Sequence, residues 1–322
     1  MLDGMLMVPR RLLLVSLVLW SFVSTGWAVQ RVESQKFILP LAGTVAIDTY
    51  RGAIDVVPGE GREGQISVEM LSPNDDSEEA RLAIDALQMS FEQVEGNATF
   101  KARNPSETGL KFIWEDQGNL AIRIKVTVPQ EGNLDLVTYD GGIKVGDLRG
   151  GMKARIETGT IFFRRIDGNV DAQAESGDVV VSRSTESGNL RTVVGNVRIG
   201  MVGRRARLET DNGNIELQTA HGVVEANATE GDIDAGFATI TGQSRIVTKV
   251  GNITATMNPS ESFSIEAKAC WEKVRNQLAI QTNKDGSGRR HLNGDYNGGG
   301  PLIELKASGG SVSINSDPYI DG

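Results

Sequence analysis
Seven glycines, Gly141, Gly159, Gly177, Gly195, Gly213, Gly231 and Gly251, follow one another at intervals of 18, 18, 18, 18, 18 and 20 residues. Scattered glycines do not keep such a period, so the chain repeats one small structural unit. The stretch ETDNGNIELQT shows its form: a β-rich run breaks at Asn212-Gly213-Asn214 and then resumes with apolar residues at alternate positions. The same shape returns in ETGTIFF, ESGDVVV, VVGNVRI, TEGDIDA and KVGNITA.

Two residues after each glycine stands an aliphatic side chain: Ile143, Ile161, Val179, Val197, Ile215, Ile233, Ile253. Four after come Val145, Phe163, Val181, Ile199, Leu217, Ala235, Ala255. Five before, the column reads Leu136, Ala154, Ala172, Leu190, Leu208, Ala226, Ile246, and three before it reads Thr138, Ile156, Ala174, Thr192, Thr210, Ala228, Thr248. Alternate positions share one side of a strand, so each repeat contains two short strands with inward apolar faces. Gly150, Gly168, Gly203, Gly222 and Gly242 fall near the midpoints and supply a second turn.

The expected fold is therefore all-β: a single-stranded parallel β-solenoid (β-helix) whose coils, of about 18 residues, stack at about 4.8 Å. One coil cannot bury its own apolar row, but stacked neighbours enclose a continuous core. The expected winding is right-handed or flattened. A propeller blade needs roughly 40–50 residues, sandwiches rarely hold a fixed period, and the six-residue columns of a hexapeptide helix are absent. The residue after each glycine is Gly142, Thr160, Asp178, Asn196, Asn214, Asp232 or Asn252. Those types tolerate positive φ, which is the reason read here for their place at a corner.

Outside the regular core the chain divides further. Residues 1–28 read as a signal peptide, with Arg10 and Arg11 before an apolar segment at 12–26 that is short for a membrane span, and small residues Gly26 and Ala28 at the cleavage positions. Removing them changes the formal charge of −9 by the loss of two arginines and one aspartate, to −10. Residues 29–132 form a β-rich N-terminal part of the solenoid, in which Gly52-Ala53-Ile54 is an early copy of the turn. Within it, residues 77–87 read as one short helix, capped by Ser77 and carrying Glu78 and Glu79 in its first turn, that covers the open end. Residues 133–258 hold the regular repeats. Residues 259–316 hold irregular strands, a Gly-rich loop at 284–300 and a last strand pair with Gly310 and Val312 in repeat positions; 317–322 are a tail.

The acidic balance disfavours a nucleic-acid partner, which needs a concentrated basic face. Cys270 is the single cysteine, excluding an internal disulfide or CxxC chemistry, and reads as a small buried hydrophobe. Two histidines, His221 and His291, are too few for a histidine-rich metal site, and no Walker loop, nucleophile elbow or HExxH pattern occurs. The column six before each glycine, Asp135, Lys153, Asp171, Asn189, Arg207, Glu225, Arg245, reads as a solvated face with register-keeping charges. Phe162 beside Val180 is the nearest candidate for an exposed contact patch, and Arg289, Arg290 and His291 could attract an anion.

The series SGDV, NGNI and EGDI after alternating strands, with the terminal GGGPLIELKASGGSVSI, resembles the bacterial adhesin-like β-strand-repeat proteins catalogued as a domain of unknown function. The resemblance spans residues 37–314. It implies an exported β-solenoid with no established catalytic or cofactor residue. The seven corner glycines are thus the only site residues assigned, in a structural role; no catalytic, cofactor-binding or metal residue is assigned, and no cofactor is expected. The expected function is a non-enzymatic interaction or structural protein of the cell envelope, periplasmic or extracellular. Its partner would be an envelope protein or glycan, and no integral membrane segment remains after cleavage. Two other classes compete: a carbohydrate-active β-helix enzyme using the outward carboxylates Asp232 and Asp234, and an envelope-stress sensor module.

Overall fold
The structure, a computed structural model, describes residues 29–72, 84–85, 87–103 and 121–320. The expected signal peptide lies outside them. Most of the helix expected over 77–87 lies outside the described residues; only Ile84 and Asp85 of it are helical here, so the full helix is not borne out. Of that segment only Ile84, Asp85 and Leu87 are described, Ile84 and Leu87 both buried and joined by a turn bond from Leu87 N–H to the Ile84 carbonyl (3.3 Å).

Strands dominate everything else. They form two long sheets, each of 14 strands and mostly parallel. The front sheet takes the strand that follows each corner glycine, such as Ile161–Asp167, Val179–Ser184, Val197–Val202 and Ile215–His221. The back sheet takes the strand that precedes it, such as Met152–Thr158, Val170–Ser176, Ser187–Val194 and Arg205–Asn212. Ile161 lies beside Val179, Val179 beside Val197, and Val197 beside Ile215, so residues 18 apart form one interior column. All four are at most 1% exposed. A single cluster of buried side chains runs between the sheets along the whole stack, as a solenoid-like architecture requires.

The corner explains the period. Gly213 has φ +152°, and a Cβ built on it would stand 1.8 Å from the carbonyl oxygen of Gly195 on the preceding coil. Gly177 meets the Gly159 oxygen at 1.7 Å in the same way. The carbonyls crowded at the corner find donors in the buried threonine column: Thr192 Oγ1 donates to Gly177 (2.8 Å), Thr210 to Gly195 (2.9 Å) and Thr248 to Gly231 (2.9 Å). A hydroxyl in the core is thereby satisfied, which removes the cost of burying it.

The Asx residues after the glycines have a different role from the one expected. Among the described residues, positive φ outside glycine occurs only at Ala42, Glu95 and Asn297. Instead, each side-chain oxygen accepts the backbone N–H of the equivalent residue one coil on: Asp178 from Asn196 (2.8 Å), Asn196 from Asn214 (3.0 Å), Asn214 from Asp232 (2.9 Å) and Asp232 from Asn252 (2.7 Å). Asn252 continues the ladder by accepting from Ser311 N–H at 3.0 Å.

Both ends depart from sequential stacking. Thr44–Arg51 lies between Asn97–Arg103 and Asn133–Asp140 in the back sheet, so the chain lays an inner coil, builds the outer one, and jumps back. At the far end, Leu302–Ala307 and Val312–Ser316 slot between the coil of Ser244–Met257 and that of Phe263–Asn276. Antiparallel strands then cover the sheet ends: Glu63–Ser72 with Val29–Ile38, Gln88–Val94, and His291–Tyr296 with Gln281–Ser287. Such covers blunt edges that would otherwise pair with other chains.

Two substitutions test the corner. Gly213→Val should destabilise the fold by at least about 1–3 kcal/mol through the positive φ alone, with the collision adding to it. Asn214→Ala should cost about 0.5–1.5 kcal/mol by removing the acceptor of the exposed Asp232 N–H. Urea-unfolding midpoints of the two variants measure both effects.

Candidate interaction surface
The outer face of the back sheet carries a depression bordered by polar side chains. A shallow groove of about 410 Å³ crosses four coils, lined among others by Lys153, Asn169, Asp171, Ser187, Asn189 and Arg207. Gly188, also on its lining, takes the inward position that Met152 and Val170 hold on the neighbouring coils, and Ile199 Cδ1 packs against it from the core side. Parallel stacking sets equivalent side chains about 4.8 Å apart. Lys153, Asp171 and Asn189 follow one another in this way, and Asn189 is succeeded by Arg207.

Hydrogen bonds fix part of this surface. Asp171 Oδ1 accepts from Asn189 Nδ2 (3.1 Å) and Gln173 Nε2 (3.2 Å), and Asn169 Oδ1 accepts from the Ser187 N–H (3.2 Å). Arg207 bonds Glu209 at 2.8 Å. That hydrogen bond and the Glu209 charge raise the guanidinium pKa, with a smaller contribution from Glu225. Lys153 and Arg205 make no ion pair among the described residues, so both cations are available to a ligand. Asp135, in register with Lys153, has its Oδ1 buried without a partner among the described residues. The expected charge column is therefore present, but its members bond along strands as much as between them. The groove itself had one sequence signal, the polar series Gly151, Asn169, Ser187, Arg205 eight residues before the glycines.

The front face carries the other candidates. Lys144, Phe162, Val180, Arg198, Glu216 and Asp234 occupy one outward row on consecutive coils. Phe162 and Val180 are half-buried neighbours, as expected, and Arg198 bridges Asp178 and Glu216, each at 3.7 Å. Asp232 and Asp234 both face outward around the buried Ile233, but they do not share a task. Asp232 is bound into the corner ladder, where its Oδ1 also accepts from Asn252 Nδ2 at 3.2 Å. Asp234 stands beside Glu216; partial desolvation first, and the Glu216 charge second, raise its carboxyl above the ordinary range.

Elsewhere, the seven corner glycines contribute position and no side chain. Cys270 is exposed, against expectation, because Ala269 takes the inward position and Cys270 falls on the outward one. The carbonyls of Arg289 and Arg290 accept from Val274 (3.1 Å) and Ala269 (2.9 Å), which places that pair beside Cys270 and Trp271, and His291 lies beside Lys268. Among the described residues no helix is long and apolar enough to cross a membrane.

The Asp234 environment makes a pH prediction. A carboxyl with a raised folded pKa favours the protonated fold, so its ionisation lowers stability as pH rises through the unfolded and then the folded value. Asp234→Asn should accordingly stabilise the protein at pH 7 by on the order of a few tenths of a kcal/mol, the scale of one like-charge cross-strand pair. The gain should vanish below the unfolded carboxylate pKa. Thermal midpoints of both proteins across that range provide the comparison.

Residues 184–315 match the family model described as Toastrack DUF4097. No curated protein matches the sequence. Similar solved structures include a "putative adhesin" from Bacteroides fragilis, 16% identical with a TM-score of 0.41, covering 89% of this chain and 97% of that one. Another is a "putative lipid binding protein" from Parabacteroides distasonis, 14% identical with a TM-score of 0.47, covering 88% and 96%. The matched segment holds the corner glycines from Gly195 to Gly310 and the Asx ladder as far as Ser311. Over residues 184–315 the chain thus matches the Toastrack family model, a domain of unknown function.

Proposed function
We propose that the protein is an exported, non-enzymatic scaffold of the cell envelope that holds an extended envelope glycan in the back-sheet groove. The observation that carries this reading is the groove itself: donors and acceptors recur on consecutive coils from Lys153 to Arg207, with Lys153 and Arg205 uncommitted to any described acid. A polymer with a repeating polar unit can bond such a row without a deep pocket, and the rigid stack preorganises it. Against a hydrolytic role, the Asp232 carboxylate is occupied by the Asn252 backbone and amide, and Glu216, the carboxylate beside Asp234, is engaged by Arg198 and Gln218. Right-handed winding, the signal peptide and the division at residues 132 and 258 belong to the same proposal. N-terminal sequencing of the exported protein tests the cleavage.

The binding reading is tested on isolated envelope polysaccharide and by crosslinking in intact cells. Lys153→Glu combined with Arg205→Glu should weaken glycan retention by about ten-fold or more, since charge-assisted hydrogen bonds are each worth roughly 1.5–3 kcal/mol before solvent competition. Lys153 stands between Asp135 and Asp171, so its replacement by glutamate lowers the thermal midpoint, and retention is compared at a temperature where circular dichroism shows the variant folded. Equal retention by a folded double variant, or release of sugar fragments by the wild type, would reject the reading.

A further inference from the structure
The far end of the rod carries a second surface, remote in sequence from the groove and independent of the glycan reading. There the chain from Ala269 to Val274 runs between two neighbours. On its inner side Ala269 lies beside Ala307 and Val274 beside Val312, in the same register before and after the bend, which sets Trp271 against Gly309. Thr248 and Ile253 flank the same segment from the next coil inward, so Val250 stands on the other side of Gly309. On its outer side run Arg289 and Arg290. Trp271 is 79% exposed and Val250 56%, with only a glycine between them.

Cations surround this indole. Lys249, Lys268, Lys273, Arg289, Arg290 and Lys306 are all exposed. Lys268 is held by Glu266, but among the described residues the other five make no ion pair. The acids nearby are Glu272 and Glu230, both exposed, the latter in register with Val250, together with Glu266 on Lys268 and Glu304 on Arg245. On a chain with net charge −9, this end is a local reversal of sign. It offers a rim with one large amphipathic ring and long flexible cationic stems.

We propose that this end docks the rod on an anionic phospholipid surface, with the Trp271 indole among the headgroups and Lys249, Lys273, Arg289, Arg290 and Lys306 over the phosphates. Indole rings partition to the boundary between apolar and wet phases. Lys and Arg stems extend along such a boundary while their charges stay hydrated. Each cation near a negatively charged leaflet strengthens binding about five-fold, and salt screens the effect. Gly309 leaves the ring unobstructed on its inner side.

Flotation of the full chain with phosphatidylcholine vesicles, with and without phosphatidylglycerol, tests this. Salt-sensitive flotation only with the anionic vesicles is expected. Lys273→Glu with Arg289→Glu should lower that partition by about twenty-five-fold or more. Trp271→Ala should weaken it several-fold while leaving the salt dependence intact. Variant and wild type share the same N-terminus, so any affinity of the apolar segment at 12–26 cancels in the comparison. The groove variant Lys153→Glu with Arg205→Glu should float like the wild type, which separates this surface from the glycan reading. Brominated lipid should quench wild-type fluorescence more than that of Trp271→Phe, an observation that needs no charge variant. The proposal is overturned if anionic vesicles fail to bind, or if the charge-reversed variant floats equally well. Capture by nucleic acid or acidic polysaccharide in place of anionic vesicles would also overturn it.

Discussion

At each corner of the rod, one coil's carbonyl oxygen occupies the space that a side chain on the next coil would need. The 1.7–1.8 Å separations at Gly177 and Gly213 describe backbones packed without any intervening carbon. Close approach brings the following residue's N–H within reach of the Asx oxygen below it and the threonine hydroxyl within reach of the crowded carbonyl. Three residue types thus depend on one distance. If a coil is forced apart at its glycine, it loses the ladder bond and the threonine bond together, and the apolar column beside them opens. Because each coil touches only its neighbours, such a defect stays local in geometry while breaking the continuity of the stack.

The corner also separates structural from functional chemistry. Asp232 shows the distinction: an outward carboxylate two residues from another resembles an acid–base pair, yet its oxygen serves the backbone of the next coil. Asp234, which has no ladder duty, is left beside Glu216 with its proton affinity raised. Groups available to a ligand lie where the corner's requirements end, on the outward rows of the back sheet and on the rim beyond the last glycine.

Much of this architecture was legible in the sequence, because the repeat imposes the same residue types at the same step. The inward columns through Ile161, Val179, Val197 and Ile215 follow from alternation alone, and the structure aligns them. The purpose of Asp178, Asn196 and Asn214 was misread because Asn and Asp suit a left-handed corner and an acceptor ladder equally well; composition cannot tell the two apart. Cys270 was misplaced for a simpler reason. The expectation rested on residue type, whereas alternation through Phe263, Ile265, Ala267 and Ala269 already puts position 270 on the outward side. The groove was missed because its lining comes from four coils whose equivalent residues meet only in space, Lys153 beside Asp171 and Asp171 beside Asn189.

The insertion of residues 302–316 between two earlier coils has a consequence for how the rod is assembled. A stack built in chain order could grow as it is synthesised, every new turn resting on a finished one. Here the turn made by residues 263–276 has no seat until a later segment arrives to fill the gap beneath it. Growth must pause, hold an unsupported loop of chain, and close by wedging. Contacts of such wide sequence separation form slowly, so this terminus should be the last part of the molecule to become solid and the first to loosen under load.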